Sequence, residues 1–438
     1  MAESLRRGSI FDLIGDDEPS FQEVQKQLAR AKSKATKAVK NTSSLPLQKR
    51  IAVVESEVNK VLGRYKGFVR TIRSDKEFID YINSCCSKQM NIALDTETNN
   101  SLDPLTCQLM GLCCYIPNTK PVYVPVNHTI CGTDIRLDNQ VSESTIREGL
   151  QILQDNGIKV IYHNGKFDLR VLFNTVGIYP PIYWDTMIAS QLLDENEPAK
   201  LKYQYTTHID PTIGTYNIEK LFTGLPYKWI NPEVFALYAA TDTYDTYTVF
   251  EYQRKLFEQE GMERLYNLFL EIEMPIVGIT AKMEDDGINV DLDFLNRLDE
   301  KYKKHLNKIR SEIDEQLKPY ERILQTYQDK GTLTTPINYD SPQQLKVLLT
   351  VVMGRPITST DNEALEEMGT PLSKLLLEYR HYSKLISAFT SAIPAKVSTK
   401  DGKIHASFHQ MGAEDKNVRT GRFSSKEPKN KLGFITVM

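Results

Sequence analysis

No stretch of about 18 apolar residues occurs in the chain, and its first residues, MAESLRRGSIFDLIGDDEPS, lack the apolar segment that a secretory signal needs. These absences argue against a membrane-spanning or exported protein, and the expected location is the cytoplasm. CxxC pairs are missing too: the six cysteines all fall between Cys85 and Cys131, adjacent at Cys85–Cys86 and Cys113–Cys114. That distribution argues against a zinc site or a disulfide framework and predicts buried, reduced thiols. A strong charge of either sign is lacking as well, and the net charge of −3 favours no class of partner. Locally the balance is uneven, because residues 26–50 hold eight Lys or Arg and no acid. Such a run suits a solvated basic tail, with phosphate contact as the alternative.

What is present is length. A chain of 438 residues exceeds a single core, so two or three domains are expected. Residues 1–65 are polar and weakly periodic, with NTSSLP as a breaker, and read as a flexible basic extension with some helix. From there the pattern alternates. A strand is expected at 67–73, a helix at 75–86 and a strand at 90–96, then two strands in CQLMGLCCYI and KPVYVPV joined by a Pro-Asn turn. Short links between three strands suggest an antiparallel meander. A helix at about 142–155, the strand KVIYH and a helix at about 165–176 continue in βαβ fashion. The result is a mixed sheet flanked by helices. Asn231 and Pro232 mark the start of a long helix that runs to about 260. Beyond it the chain turns helical: Leu298, Tyr302, Leu306, Ile309, Ile313 and Leu317 paint one apolar stripe, Ser341-Pro342 caps a second helix, and LSKLLLEYRHYSKLISAF forms a third. The stripe is expected to pack on another helix of the same chain.

The stretch NIALDTETNN ends a buried strand on Asp95 and Glu97, which share one face of the sheet. Like charges so placed repel unless a cation lies between them or solvent separates them. In YHNGKFDLRVL, Asn164 and Asp168 stand four apart where a helix follows a strand, and in YAATD, Tyr238 and Asp242 stand four apart on the long helix. Taken singly, Asp168 fits a first-turn carboxylate that complements the helix dipole, and Tyr238 fits the core. The ordered set of Asp-x-Glu, Asn-x3-Asp and Tyr-x3-Asp within one α/β region is what points to a site.

Together LDTET, YHNGKFDLRVL, WDTMIASQLL and YAATDTYDTY resemble the exonuclease motifs, and the intervening helix, of the DEDDy proofreading domain in family A DNA polymerases of the bacterial DNA polymerase I type. Downstream, EIEMPIVGITAKMEDDGINVD, STDNEALEEM, LLLEYRHYSKLISAF and GKIHASFHQ with TGRFSSKEP are similar, in order, to the start of that family's polymerase region, including its thumb. The resemblance covers roughly residues 66–428. It implies an RNase H-like α/β exonuclease domain at 66–260, a mainly α-helical, thumb-like partial polymerase domain at 261–412 and a truncated tail at 413–438.

It also implies roles. Asp95, Glu97, Asp168 and Asp242 would hold two Mg²⁺ or Mn²⁺ ions, with Asp95 bridging them, Glu97 and Asp242 completing the first site and Asp168 supporting the second through water. Tyr238 and Glu97 would orient the attacking water. Leu102 resembles the apolar wedge against the terminal bases, Asn164 a substrate contact, and Arg422 the residue that reaches the primer in the minor groove, against a plainly solvated arginine. Asp245, one turn past Asp242, lies outside the family motif. The activity implied is 3′-to-5′ exonucleolytic proofreading of single-stranded DNA or primer-template ends by a monomer in a bacterial or phage-infected cell. The alternatives are an RNase D-like exoribonuclease and a catalytically silent DNA-binding fragment that acts with a separate palm-and-fingers chain. The family places its polymerase carboxylates after TGRFSS, whereas this sequence continues as KNKLGFITVM. DNA synthesis by this chain alone is therefore not expected.

Overall fold

The computed structural model describes residues 45–210, 222, 224–410, 412–413, 416–417 and 422–426. Most of the basic run at 26–50, residues 1–44 of the expected extension and most of the expected tail at 413–438 lie outside the described residues. Two compact units are present, one made by the chain up to Asp286 together with the residues from Ala406 onward, the other by Gly287–His405.

In the first unit, helix α1 (Leu47–Leu62) places Ile51, Val54, Val58 and Val61 at steps of three and four, and all four are buried in the main core. The sequence reading leaves this segment in the extension. It belongs instead to the folded unit, because an apolar stripe of this kind gains stability only against a core. Six strands form a mixed sheet: β1 (Arg70–Thr71), β2 (Ile92–Thr98), β3 (Leu109–Tyr115), β4 (Val122–Pro125), β5 (Val160–Tyr162) and β6 (Trp184–Asp185), in the order β1-β4-β3-β2-β5-β6. β2, β3 and β4 make the antiparallel meander. β1, β5 and β6 run parallel to their neighbours.

Successive strand residues face opposite cores. Leu94, Leu112 and Cys114 join the core of helices α2 (Asp75–Ser87), α3 (Glu143–Asp155) and α4 (Gly165–Val176). Ala93, Cys113 and Tyr123 join the one beneath the long later helix. Two short helices, α5 (Thr186–Leu193) and α6 (Leu201–His208), precede that helix, α7 (Pro232–Phe257). Its start follows the sequence signal, since the Asn231 side chain accepts the Glu233 N–H at 2.9 Å. After it come α8 (Glu263–Leu268), a π-helical turn (Phe269–Glu273) and α9 (Met274–Asp286). Phe269, Met274, Val277 and Ala281 fill the same core as α7, and the Phe269 and Trp184 rings lie 4.4 Å apart. The border expected at 260/261 therefore moves to 286/287.

The second unit is helical. α10 (Leu292–Leu317) carries the predicted stripe, which is half-buried at Leu298, Tyr302 and Leu306 and buried at Ile309, Ile313 and Leu317. With α11 (Glu321–Asp329), α12 (Pro342–Met353), α13 (Asn362–Met368) and α14 (Pro371–Leu385) it encloses Leu345, Leu348, Leu349, Leu372 and Leu376. Its base is a strand pair, β7 (Ile288–Asn289) against β8 (Lys403–Ile404). Back in the first unit, β9 (Ser407–His409) pairs antiparallel with a strand at Ser424–Lys426. Among the described residues no helix is long and apolar enough to cross a membrane. The six cysteines are free, and all but Cys131 are buried.

Candidate active site

The site is assembled at the end of β2. Asp95 stands opposite Cys113 and Glu97 opposite Gly111 in the β2–β3 ladder. The carboxylates of Asp95 and Glu97 and the Cys113 thiol lie within 4.8 Å of one another. Gly111 is required there, since the Tyr123 ring crosses it and a side chain would run into the ring.

Asp168 arrives through a gap in the sheet. β5 pairs with β2 only at Ile92 and Ala93, so the Thr96 amide has no strand partner on that side. Asp168 Oδ1 fills the place, accepting the Thr96 N–H at 2.8 Å and the Thr96 hydroxyl at 2.6 Å. Asp185, at the end of β6, fixes the start of α4. Its carboxylate accepts the Gly165 N–H at 2.8 Å and the Asn164 N–H at 3.1 Å, and also the Met187 N–H at the head of α5 at 2.9 Å. Asn164 is left-handed (φ 63°), and its side chain is exposed.

α7 supplies the remaining groups. Tyr238 and Asp242, one helical turn apart, are both half-buried, and the Tyr238 ring packs on Phe222 and Phe235 at 5.6 and 5.8 Å. Lys202 of α6 bonds Asp242 Oδ1 at 2.5 Å and Asp245 Oδ2 at 2.8 Å. His163 meets the Thr186 hydroxyl at 2.8 Å, and burial together with the nearby Lys202 pushes its pKa down to about 3, so the ring stays neutral.

The electrostatics show how closely the acids converge. Burial raises the Asp95 carboxyl well above the usual range, and Asp168, Glu97 and Asp242 raise it further, with Lys202 opposing. Burial also lifts Asp168 to about 7 against the two Thr96 bonds. Three carboxylates that act on a fourth, buried one in this way form an all-oxygen donor set with surplus negative charge, which fits hard divalent cations.

The structure thus brings Asp95, Glu97, Asp168 and Asp242 together, with Tyr238 one turn from Asp242. Leu102 is 66% exposed beyond the end of β2. Arg422 is exposed ahead of the Ser424–Lys426 strand and has no hydrogen bond or ion pair among the described residues. Two residues escape the sequence reading. Asp185 carried a signal, an acid followed by Thr at a helix start, while Lys202, one of several lysines in AKLKYQY, carried none.

Residues 69–258 match the family described as 3′-5′ exonuclease, and residues 303–431 match DNA polymerase family A. DNA polymerase I of Pseudomonas aeruginosa is 30% identical over 356 residues, which is 77% of this chain and 36% of that protein. The DNA polymerase of Escherichia phage T5 is 27% identical over 413 residues, covering 85% and 44% respectively. The chain therefore spans less than half the length of these curated relatives. Among solved structures, the POL domain of Pol1 from M. smegmatis, in complex with DNA primer-template and dNTP, aligns with a TM-score of 0.56 at 18% identity, over 82% of this chain and 55% of that one.

Proposed function

From a chain that carries the 3′-5′ exonuclease domain of a family A DNA polymerase joined to the start of the polymerase domain, we propose a proofreading exonuclease that releases nucleoside monophosphates from DNA 3′ ends. The observation that carries this is the close Asp95–Glu97 pair at the end of β2, with Asp168 held on Thr96, the residue between them in the chain. In this reading Asp95, Glu97 and Asp242 would hold one Mg²⁺ or Mn²⁺, and Asp95 would hold a second that Asp168 supports through water. Bound there, the ions supply a hydroxide nucleophile near neutral pH and offset charge at the phosphorus. Tyr238 and Glu97 orient the attacking water, and Lys202 keeps Asp242 and Asp245 paired beside it. Leu102 and Asn164, both exposed, face incoming nucleotides.

The test is incubation with a 3′-labelled single strand, with Mg²⁺ or with EDTA. Mononucleotide release is expected only with Mg²⁺, faster on single strands than on duplex because a terminal base must unpair to enter. An Asp95→Ala protein that cleaves like the parent would sink the site assignment. A labelled RNA run in parallel separates this reading from an exoribonuclease.

A second reading concerns partners. Along α8, the π-helical turn and α9, the large apolar residues Leu268, Ile272, Ile279 and Met283 are all exposed. Exposed apolar side chains of this kind support association with the palm-and-fingers portion of a polymerase, whether in the same polypeptide or supplied separately. Primer-template DNA is the proposed shared ligand, and the cytoplasm the proposed location.

A further inference from the structure

α4 presents Asp168 toward β2. Lys166 and Arg170, two residues to either side, project the other way, because a two-residue step turns a helix by about 200°. Both end on Glu284 of α9. Lys166 Nζ donates to Oε1 and Arg170 Nη1 to Oε2, each at 2.6 Å. Asp285 completes the contact, accepting Arg170 Nε at 2.8 Å, Asn174 Nδ2 at 3.0 Å and the Tyr179 hydroxyl at 2.6 Å. A strand from the far end of the unit joins as well, since the Phe408 N–H donates to Glu284 Oε1 at 2.6 Å and its carbonyl accepts from Lys166. Glu284 is 1% exposed and Arg170 5%.

Stability alone gives a weak account of this cluster. Well-packed apolar residues match or exceed a buried ion pair in stability. What such a cluster does supply is direction: each charged hydrogen bond fixes its partner in position. The backbone of α4 is held from behind on both sides of Asp168, while the front of Asp168 holds the Thr96 amide.

We propose that Glu284 is a positioning residue of the exonuclease site, holding α4 so that Asp168 stays on Thr96. The inference rests on the exonuclease reading for its catalytic consequence, but not for its geometry. It also places part of the site's support outside residues 69–258, the extent of the exonuclease match.

The experiment uses the full chain and two variants. Glu284→Gln keeps the shape of the side chain and removes the charge shared by two cations. Lys166→Met leaves Glu284 paired with Arg170 and protects against a failure of the first variant to fold. Two quantities are read: hydrogen exchange of the Thr96 amide by NMR, and single-turnover hydrolysis of a 3′-labelled single strand alongside its dissociation constant. The Thr96 amide is expected to exchange about tenfold faster while the β3–β4 amides keep their protection, as in a local opening. Hydrolysis should fall by about tenfold or more, because a small displacement of a reacting group is costly, with the DNA dissociation constant unchanged. Unchanged Thr96 exchange in both variants, or equal loosening of the whole sheet, overturns the proposal. A parent protein without nuclease activity overturns the exonuclease reading instead, and Thr96 exchange still decides the position of Asp168.

Discussion

At the scale of single residues, the site holds more negative charge than its surroundings neutralise, and this sets its pH response. Burial raises the carboxyls of Asp168 and Asp245, to about 7 and about 6, from an ordinary value of 3.8. A raised carboxyl binds its proton more tightly in the folded chain than in the unfolded one. Its contribution is therefore full below about pH 4 and is lost as the pH rises through about 6 to 7. Calorimetry of the metal-free protein should show a melting temperature that falls between about pH 4 and 7, with Mn²⁺ restoring more at the upper end, where the carboxylates are ionised. Asp168→Asn should flatten that slope. Under the proposed mechanism, Tyr238→Phe should slow hydrolysis while leaving the single-strand dissociation constant, measured by fluorescence anisotropy, within about twofold, since there the hydroxyl orients water rather than DNA. Asp95 and Glu97 were legible in the sequence because a two-residue period fixes which way a strand residue points. Lys202 was not, because its partners lie 40 and 43 residues away and no short-range pattern encodes that distance.

Among elements, α10 shows how a sequence stripe becomes a packed face. Ile313 is fully buried, so Ile313→Ala should destabilise the helical unit by about 2–5 kcal/mol, read as a shifted urea midpoint. Tyr302, the middle of the half-buried stretch, meets Tyr382 of α14 with ring centroids 5.6 Å apart. Because the stripe is spent inside the unit, sedimentation should give a monomer. A stable dimer dissolved by Leu306→Asp would falsify this. α4 and α7 began where their signals said. β1 proved shorter than 67–73 because it pairs only at Arg70 and Thr71, with Val122 and Tyr123. α1 reads from the sequence only as some helix within a mobile extension, since its stripe follows a polar run that reads as linker; its apolar spacing is visible, but nothing local says that a core waits for it.

For the whole molecule, the mixed sheet and the helical unit followed from periodicity, but the border between them did not. The composition turns helical at about 261, and helicity alone does not say which core a helix serves; Phe269, Met274, Val277 and Ala281 serve the first. The matched polymerase stretch, 303–431, lies within a chain that covers 36% of the Pseudomonas protein. Nucleotidyl transfer needs metal-binding carboxylates on a palm together with a triphosphate-binding helix. A polypeptide limited to these 438 residues is therefore expected to give no product in primer extension with dNTPs and Mg²⁺, and the same assay with an added palm-and-fingers fragment checks that requirement.

The order in which a ribosome delivers these pieces matters too. Glu284 emerges early, and its backbone partner Phe408 follows 124 residues later, with the entire helical unit synthesised in between. At elongation rates of about 5–20 residues per second that interval is about 6–25 s. Through it, one oxygen of Glu284 lacks a hydrogen bond that it holds in the finished fold. The first unit of a nascent chain is thus completed only after the second unit has been made, and a ribosome that stalls anywhere in that stretch leaves the first unit without its Phe408 bond.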